Sequence, residues 1–176
     1  MNEVIKKNGI KFGVIAGVIG VLITAGIYII DLKLFTAWWL GLTSIAIYLI
    51  IGIVLMVQTR KALVNNYSFK DAFTTYFVYA LVGIAISVVF NIVLFNFIDP
   101  SAKETVKELS IEAAVEWMKK FNTPTSAIKE AVEKMEAQDQ FGIIEQLKGS
   151  IFSIIFSAII GVIFAAIFKS KPKEQF

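Results

Sequence analysis

The 176-residue chain contains no cysteine and no histidine. Without thiols there is no disulfide framework, thiolate metal site or thiol nucleophile. Without imidazole the commonest general base and the commonest metal ligand are missing together. An enzyme built from these residues would have to work with carboxylates, lysines, serines or tyrosines. No phosphate-binding loop, serine elbow or nucleic-acid motif is present. No catalytic, cofactor-binding or metal-ligating set is therefore assigned, and the expectation is a non-enzyme with no nucleic-acid partner.

Charge is also scarce. Charged residues make up 18% of the chain and hydrophobic ones 57%, against about 25% charged in a typical soluble domain. The scarcity is uneven, because long uncharged runs alternate with charged islands. That segregation marks a chain that crosses a lipid bilayer several times. Four spans are expected, at about residues 12–30, 36–57, 72–98 and 149–168, within one membrane domain covering 1–176. The first run is too long for a signal-peptide core, and no clear small-residue cleavage site follows it.

The lysines and arginines set the expected orientation. The N-terminus, the 58–71 loop and the C-terminal tail hold nine of the seventeen basic residues and three acids. Positive charge in short loops favours the cytoplasmic side, so both termini are expected there, in a bacterial inner membrane. Trp38 and Trp39 open the second span at the opposite face, where an aromatic belt belongs.

The segment 99–147 is then extracytoplasmic. Ser101 with Glu104 reads as a capping box starting one helix, on which Val106, Leu109, Ala113, Trp117 and Phe121 share a face. Thr123 as N-cap, with Pro124 at the first helical position, starts a second. Ile128, Ala131, Val132 and Met135 line that helix. Two amphipathic helices of matched length suggest a helical hairpin over the outer ends of the spans. The expected fold class is thus all-α: a four-helix transmembrane bundle with an extracytoplasmic hairpin between the third and fourth spans. The acidic stripe Glu104, Glu108, Glu112 and Glu116 reads as a solvated face interleaved with lysines, because a helix offers calcium no wrapping carbonyls.

Small residues recur every fourth position in the last span: Gly149, Ser153, Ser157, Gly161 and Ala165. Lipid tails are as apolar as leucine, so spans associate by close backbone approach, and small residues four apart make the groove. Gly9, Gly13 and Gly17 begin a similar groove on the first span, with Ala16, Gly20 and Thr24 beside it. Gly83 and Ser87 give the third span a shorter one, continued by Asn91. These are helix-packing candidates, within the chain by preference and between chains as the alternative. Asn91 and Asn96 are the polar membrane candidates; interhelical hydrogen bonding is favoured over ligand binding for both.

Tyr67-Ser68-Phe69-Lys70-Asp71-Ala72-Phe73 before the third span resembles a stretch of the membrane family of unknown function DUF4199, common in Bacteroidetes. Ile98-Asp99-Pro100 followed by a charged helical segment, and the small-residue-rich last span ending in lysines, are similar as well. The resemblance implies a four-span inner-membrane protein with an extracytoplasmic segment before the last helix, and carries no activity or catalytic residue. The residues themselves explain Ser68 as a helix cap with Asp71 in the first turn. The leading expectation is an accessory or scaffolding subunit that contacts the lipid bilayer and a protein partner or homo-oligomer. The alternative is a small carrier or lipid-handling protein with Asn91 and Asn96 in a cavity between spans.

Overall fold

The computed structural model describes residues 2–64 and 66–170. Lys171, Lys173 and Glu174 of the tail lie outside the described residues. The described chain is all-helical: α1 (Glu3–Ile30), α2 (Trp38–Ala62), α3 (Phe69–Val93), α4 (Pro100–Lys120), α5 (Thr125–Ala137) and α6 (Ile143–Phe168). A short 3₁₀ turn, Leu32–Thr36, joins α1 to α2, and one π-helical turn, Leu94–Ile98, prolongs α3.

Four of these helices are long and apolar enough to cross a membrane: α1, α2, α3 with its π turn, and α6. At 25 to 30 residues each, they extend roughly 40 Å, beyond a hydrocarbon core of about 30 Å. Two spans begin earlier than hydropathy alone places them, α1 at Glu3 and α6 at Ile143. Lysine and glutamate are good helix formers, so each helix continues past its apolar run into charged sequence. Large side chains such as Leu22, Ile29, Phe152 and Ile155 remain exposed along the spans. A water-facing surface this apolar would be an aggregation liability, whereas lipid accepts it.

Helix α3 is central, packing most extensively on α1 and then on α6. The contact with α1 follows from glycine: a Cβ at Gly13 would lie 2.8 Å from the Tyr79 carbonyl oxygen. The main apolar core lies among α1, α2, α3 and α6 and includes Phe12, Leu55, Met56, Tyr76 and Phe164.

At one end of the bundle the termini converge. Asn8 donates to Thr59 Oγ1 at 3.1 Å. Ser170 N–H donates to the Tyr67 carbonyl at 2.7 Å, and the Tyr67 amide donates to Ser170 Oγ at 3.0 Å. The Tyr67 ring is fully buried, and its hydroxyl lies 3.4 Å from Met56 Sδ. Burial pushes this phenol up to about 12. Ser68 caps α3, accepting from the Asp71 amide at 3.1 Å.

The other end holds a second core of Leu94, Phe95, Ala102 and Val106, with Tyr28, Phe35 and Phe141 against it. Here α4 begins differently from the expected capping box. Asp99 is the N-cap, accepting from the Ala102 amide at 3.0 Å, and Ser101 sits inside the helix. Pro100 suits the first helical position and leaves the preceding aspartate to cap. Tyr28 Oη donates to Asp99 Oδ2 at 2.9 Å. Hydrogen bonds from Ser101, Tyr28 and the Ala102 amide hold the Asp99 carboxyl below its ordinary range.

Thr123 is not the cap of α5 either. Its amide donates to the Met118 carbonyl at 3.0 Å, and Asn122 adopts a positive φ of 53°. Both residues therefore finish α4, and α5 starts at Thr125 behind Pro124. The two helices differ in length, 21 residues against 13. They touch through Lys107, which donates to the Glu136 carbonyl, and Lys103 pairs with Asp139 just beyond α5 at 2.8 Å. Trp117 and Phe121 do not join the packed face of α4; they stack on each other, 49% and 73% exposed. The four glutamates of α4 are exposed.

Candidate functional site

The small-residue stripes have different fates. On α1, a Cβ at Gly13 would come 2.7 Å from Val82 Cβ, and one at Gly17 would come 2.7 Å from Ile86 Cβ. Gly83 of α3 faces the same contact, with Gly13 O at 3.5 Å and Ala16 Cβ at 3.6 Å from its notional Cβ. On α6 only the half nearer Phe168 is packed. Ala165 is fully buried, and a Cβ at Gly161 would be 3.1 Å from the Tyr76 ring. Gly149 and Ser153 are exposed, and nothing lies within 4 Å of a Cβ at Gly149. Ser153 returns its hydroxyl to the Gly149 carbonyl. The expected groove along the whole fourth span is therefore packed over half its length. Beyond Gly161 the two helices leave a gap, walled on α6 by Gly149, Ser153 and Ser157 and on α3 by Ile84, Val88 and Asn91.

That gap is a cavity of about 460 Å³ between α3 and α6, with Tyr48 of α2 in its wall. Such a volume lies within the range of small-molecule sites, about 300–1,000 Å³. Its floor carries Tyr76 and Tyr79, whose ring centroids are 5.4 Å apart. Tyr79 donates to the Tyr48 carbonyl at 2.8 Å. Gly20 of α1 makes room for this arrangement, since a Cβ there would lie 2.6 Å from Tyr48 Oη and 2.7 Å from Ser87 Oγ. Ala80, Ile84 and Val88 form an apolar middle, and Asn91, Gln140, Glu145, Gln146 and Ser150 gather at the end near α4.

Asn91 and Asn96 separate in role. Asn91 lines the cavity. Among the described residues, its Oδ1 and Arg60 Nε are the buried side-chain polar atoms with no hydrogen-bond partner. A buried polar atom without a partner is costly, and Asn91 Oδ1 itself is shielded while the rest of the residue lines the cavity. Asn96 is engaged elsewhere through its amide nitrogen. Its amide donates to the Ile92 carbonyl at 3.1 Å and to the Phe141 carbonyl at 2.9 Å. Phe141 also packs on Phe95 with ring centroids 4.4 Å apart. Asn96 thus ties the linker before α6 to the end of α3, beside the cavity mouth.

Sequence reasoning missed the three tyrosines and the polar mouth. A signal for part of it was present: Tyr76, Ala80, Gly83, Ser87 and Asn91 follow i, i+4, i+7, i+11 and i+15, one continuous helix face. Gln140, Glu145 and Gln146 carried none, because only the fold brings the linker and the first turn of α6 over this face. Among the described residues no cluster of acidic side chains could hold a metal ion.

Four apolar spans, with α1, α2 and α6 packed around α3, make this a multi-pass membrane protein. The chain belongs to the family described as protein of unknown function (DUF4199), whose model matches residues 11–170. No curated protein and no solved structure matches the chain.

Proposed function

We propose that this protein is a lipid-handling or carrier protein that binds a small amphiphile in the cavity between α3 and α6. The observation that carries the reading is a polar-mouthed, apolar-centred cavity of about 460 Å³ with Asn91 in its wall, a residue whose shielded Oδ1 has no partner. A site with this gradient suits a molecule with a polar head and an apolar body. The chain sits in a bacterial inner membrane with both termini in the cytoplasm. The α4–α5 segment is an extracytoplasmic hairpin, and the cavity mouth opens toward it. The basic residues around α1, the 58–71 loop and the end of α6 support this orientation.

Native mass spectrometry of the protein extracted in a mild maltoside detergent tests the binding reading. Bound amphiphile is expected on the wild type and lost from Gly149→Leu, which fills the cavity from a position where nothing lies within 4 Å of a new Cβ. Equal occupancy of both proteins would remove the reading.

One observation favours a second role, that of an accessory subunit. The outer half of the α6 stripe, at Gly149 and Ser153, remains uncovered within the chain where it lines the cavity, and would admit a helix of a partner or of a second copy in place of the amphiphile. Light scattering in detergent separates the two. A protein that stays monomeric at every concentration would count against the accessory role and leave the cavity reading intact.

A further inference from the structure

We infer that the amphiphile held between α3 and α6 carries a positively charged alkylammonium group, seated at the cavity mouth beside Glu145 and Asn91. The inference rests on the ligand-binding reading above and adds the charge of the ligand.

The lining of the cavity contains one formally charged residue, Glu145, and neither lysine nor arginine. An anionic head placed at the mouth would face that carboxylate with no lining cation to offset it. The Glu145 side chain is 40% exposed, so water weakens this like-charge contact without removing its unfavourable sign. An ammonium reverses the sign. It donates up to three hydrogen bonds, and the mouth supplies acceptors in the Glu145 carboxylate, the carbonyl oxygens of Gln140 and Gln146, and the Ser150 hydroxyl. Asn91 stands across the cavity on α3 with a carboxamide oxygen that has no other partner. Its amide needs only a turn about its last torsion to present that oxygen.

Lys148 already touches one oxygen of Glu145, but this is a surface pair. The lysine side chain is 65% exposed and comes from the same helix. Exposed pairs at this spacing hold weakly, so the carboxylate stays open to a second cation. Below the mouth, Val88, Ile84 and Ala80 offer the apolar body a lining without charge, ending at the tyrosine floor. Two sources supply such a ligand: a membrane lipid with an amine headgroup, or a free lipophilic amine.

Three probes with one chain isolate the charge: dodecylammonium, dodecanol and dodecyl phosphate, titrated into the intact protein in maltoside and read by native mass spectrometry. Dodecylammonium is expected to bind about tenfold more tightly than either of the others, the worth of one favourable charge contact. Glu145→Gln is expected to bring the three probes to near parity, and Lys148→Ala to strengthen the amine alone. A parallel comparison in nanodiscs, phosphatidylethanolamine against phosphatidylglycerol, identifies the source. Preferential retention of the first names the lipid headgroup, and indifference there with dodecylammonium binding names a free amine. Equal binding of the three probes to the wild type, or tighter phosphate binding, overturns the charge assignment and leaves the cavity reading standing. Binding of no probe, with Gly149→Leu indistinguishable from wild type, overturns both.

Discussion

Gly17 of α1 and Ile86 of α3 meet so closely that a Cβ on the glycine would lie 2.7 Å from Ile86 Cβ. No side chain fits between the two helices at this level, and the same holds one turn away at Gly13. The α1–α3 contact is therefore rigid about its glycines, while the α3–α6 contact opens halfway along.

This difference gives the first expected outcome. Gly13→Val would drive a side chain into the Tyr79 carbonyl, a backbone atom that cannot swing aside. A loss of about 1–3 kcal/mol is expected from such overpacking, seen as a lower unfolding midpoint in detergent. Gly149→Ala meets nothing within 4 Å, so it should be neutral or stabilising by up to about 1 kcal/mol through helix propensity. Equal losses at both positions would contradict the asymmetric packing.

Asn91→Leu separates stability from function. Removing a buried oxygen that has no partner should leave stability unchanged or raise it by about 1 kcal/mol. The same change should weaken retention of bound amphiphile. A destabilised Asn91→Leu protein with unaltered ligand content would show that the amide is structural.

Asn96 holds the linker through the Phe141 carbonyl. Asn96→Ala is expected to speed hydrogen exchange across the 138–146 stretch while the spans stay protected. Unchanged exchange there would mean that the Phe141 ring, packed on Phe95, suffices to seat the linker.

The Asp99 carboxyl is held below its ordinary range chiefly by the Ser101 hydroxyl, then by Tyr28. A depressed folded-state pKa means stability that is complete above the unfolded value and lost as pH falls through the folded one. The thermal midpoint should therefore drop in acid, below the usual carboxylate value of 3.8. Tyr28→Phe and Ser101→Ala should each shrink that drop.

Tyr67 behaves oppositely, because burial raises its phenol from 10.0 to about 12. Its contribution is complete below the unfolded value and disappears as pH climbs through the folded one. Alkaline unfolding should thus move to higher pH in Tyr67→Phe, if loss of the hydroxyl contact with Met56 is small. Movement to lower pH would show that this contact outweighs the ionisation.

Much of the architecture was readable in advance. Uncharged runs located the four spans, and Ser68 with Asp71 located the start of α3. The helix starts at α4 and α5 were misplaced because several cap-forming residues stand side by side in Asp99-Pro100-Ser101 and Asn122-Thr123-Pro124. The choice among them depends on partners distant in sequence, such as Tyr28, and on how the preceding helix ends. Trp117 and Phe121 share a helical face with Val106, yet only the first turns of α4 reach the second core. Periodicity names a face without saying how far its cover extends.

By itself the sequence determined that the chain is helical and greasy, and that its spans meet through small residues, since composition and period act locally and need no partner. Only the tertiary structure decided which small residues are filled by a neighbour and which are left open. That outcome depends on how α3 lies between α1 and α6, a relation among residues dozens of positions apart. The cavity with Asn91 in its wall and Glu145 at its mouth exists because glycines close one side of α3 while the other side diverges.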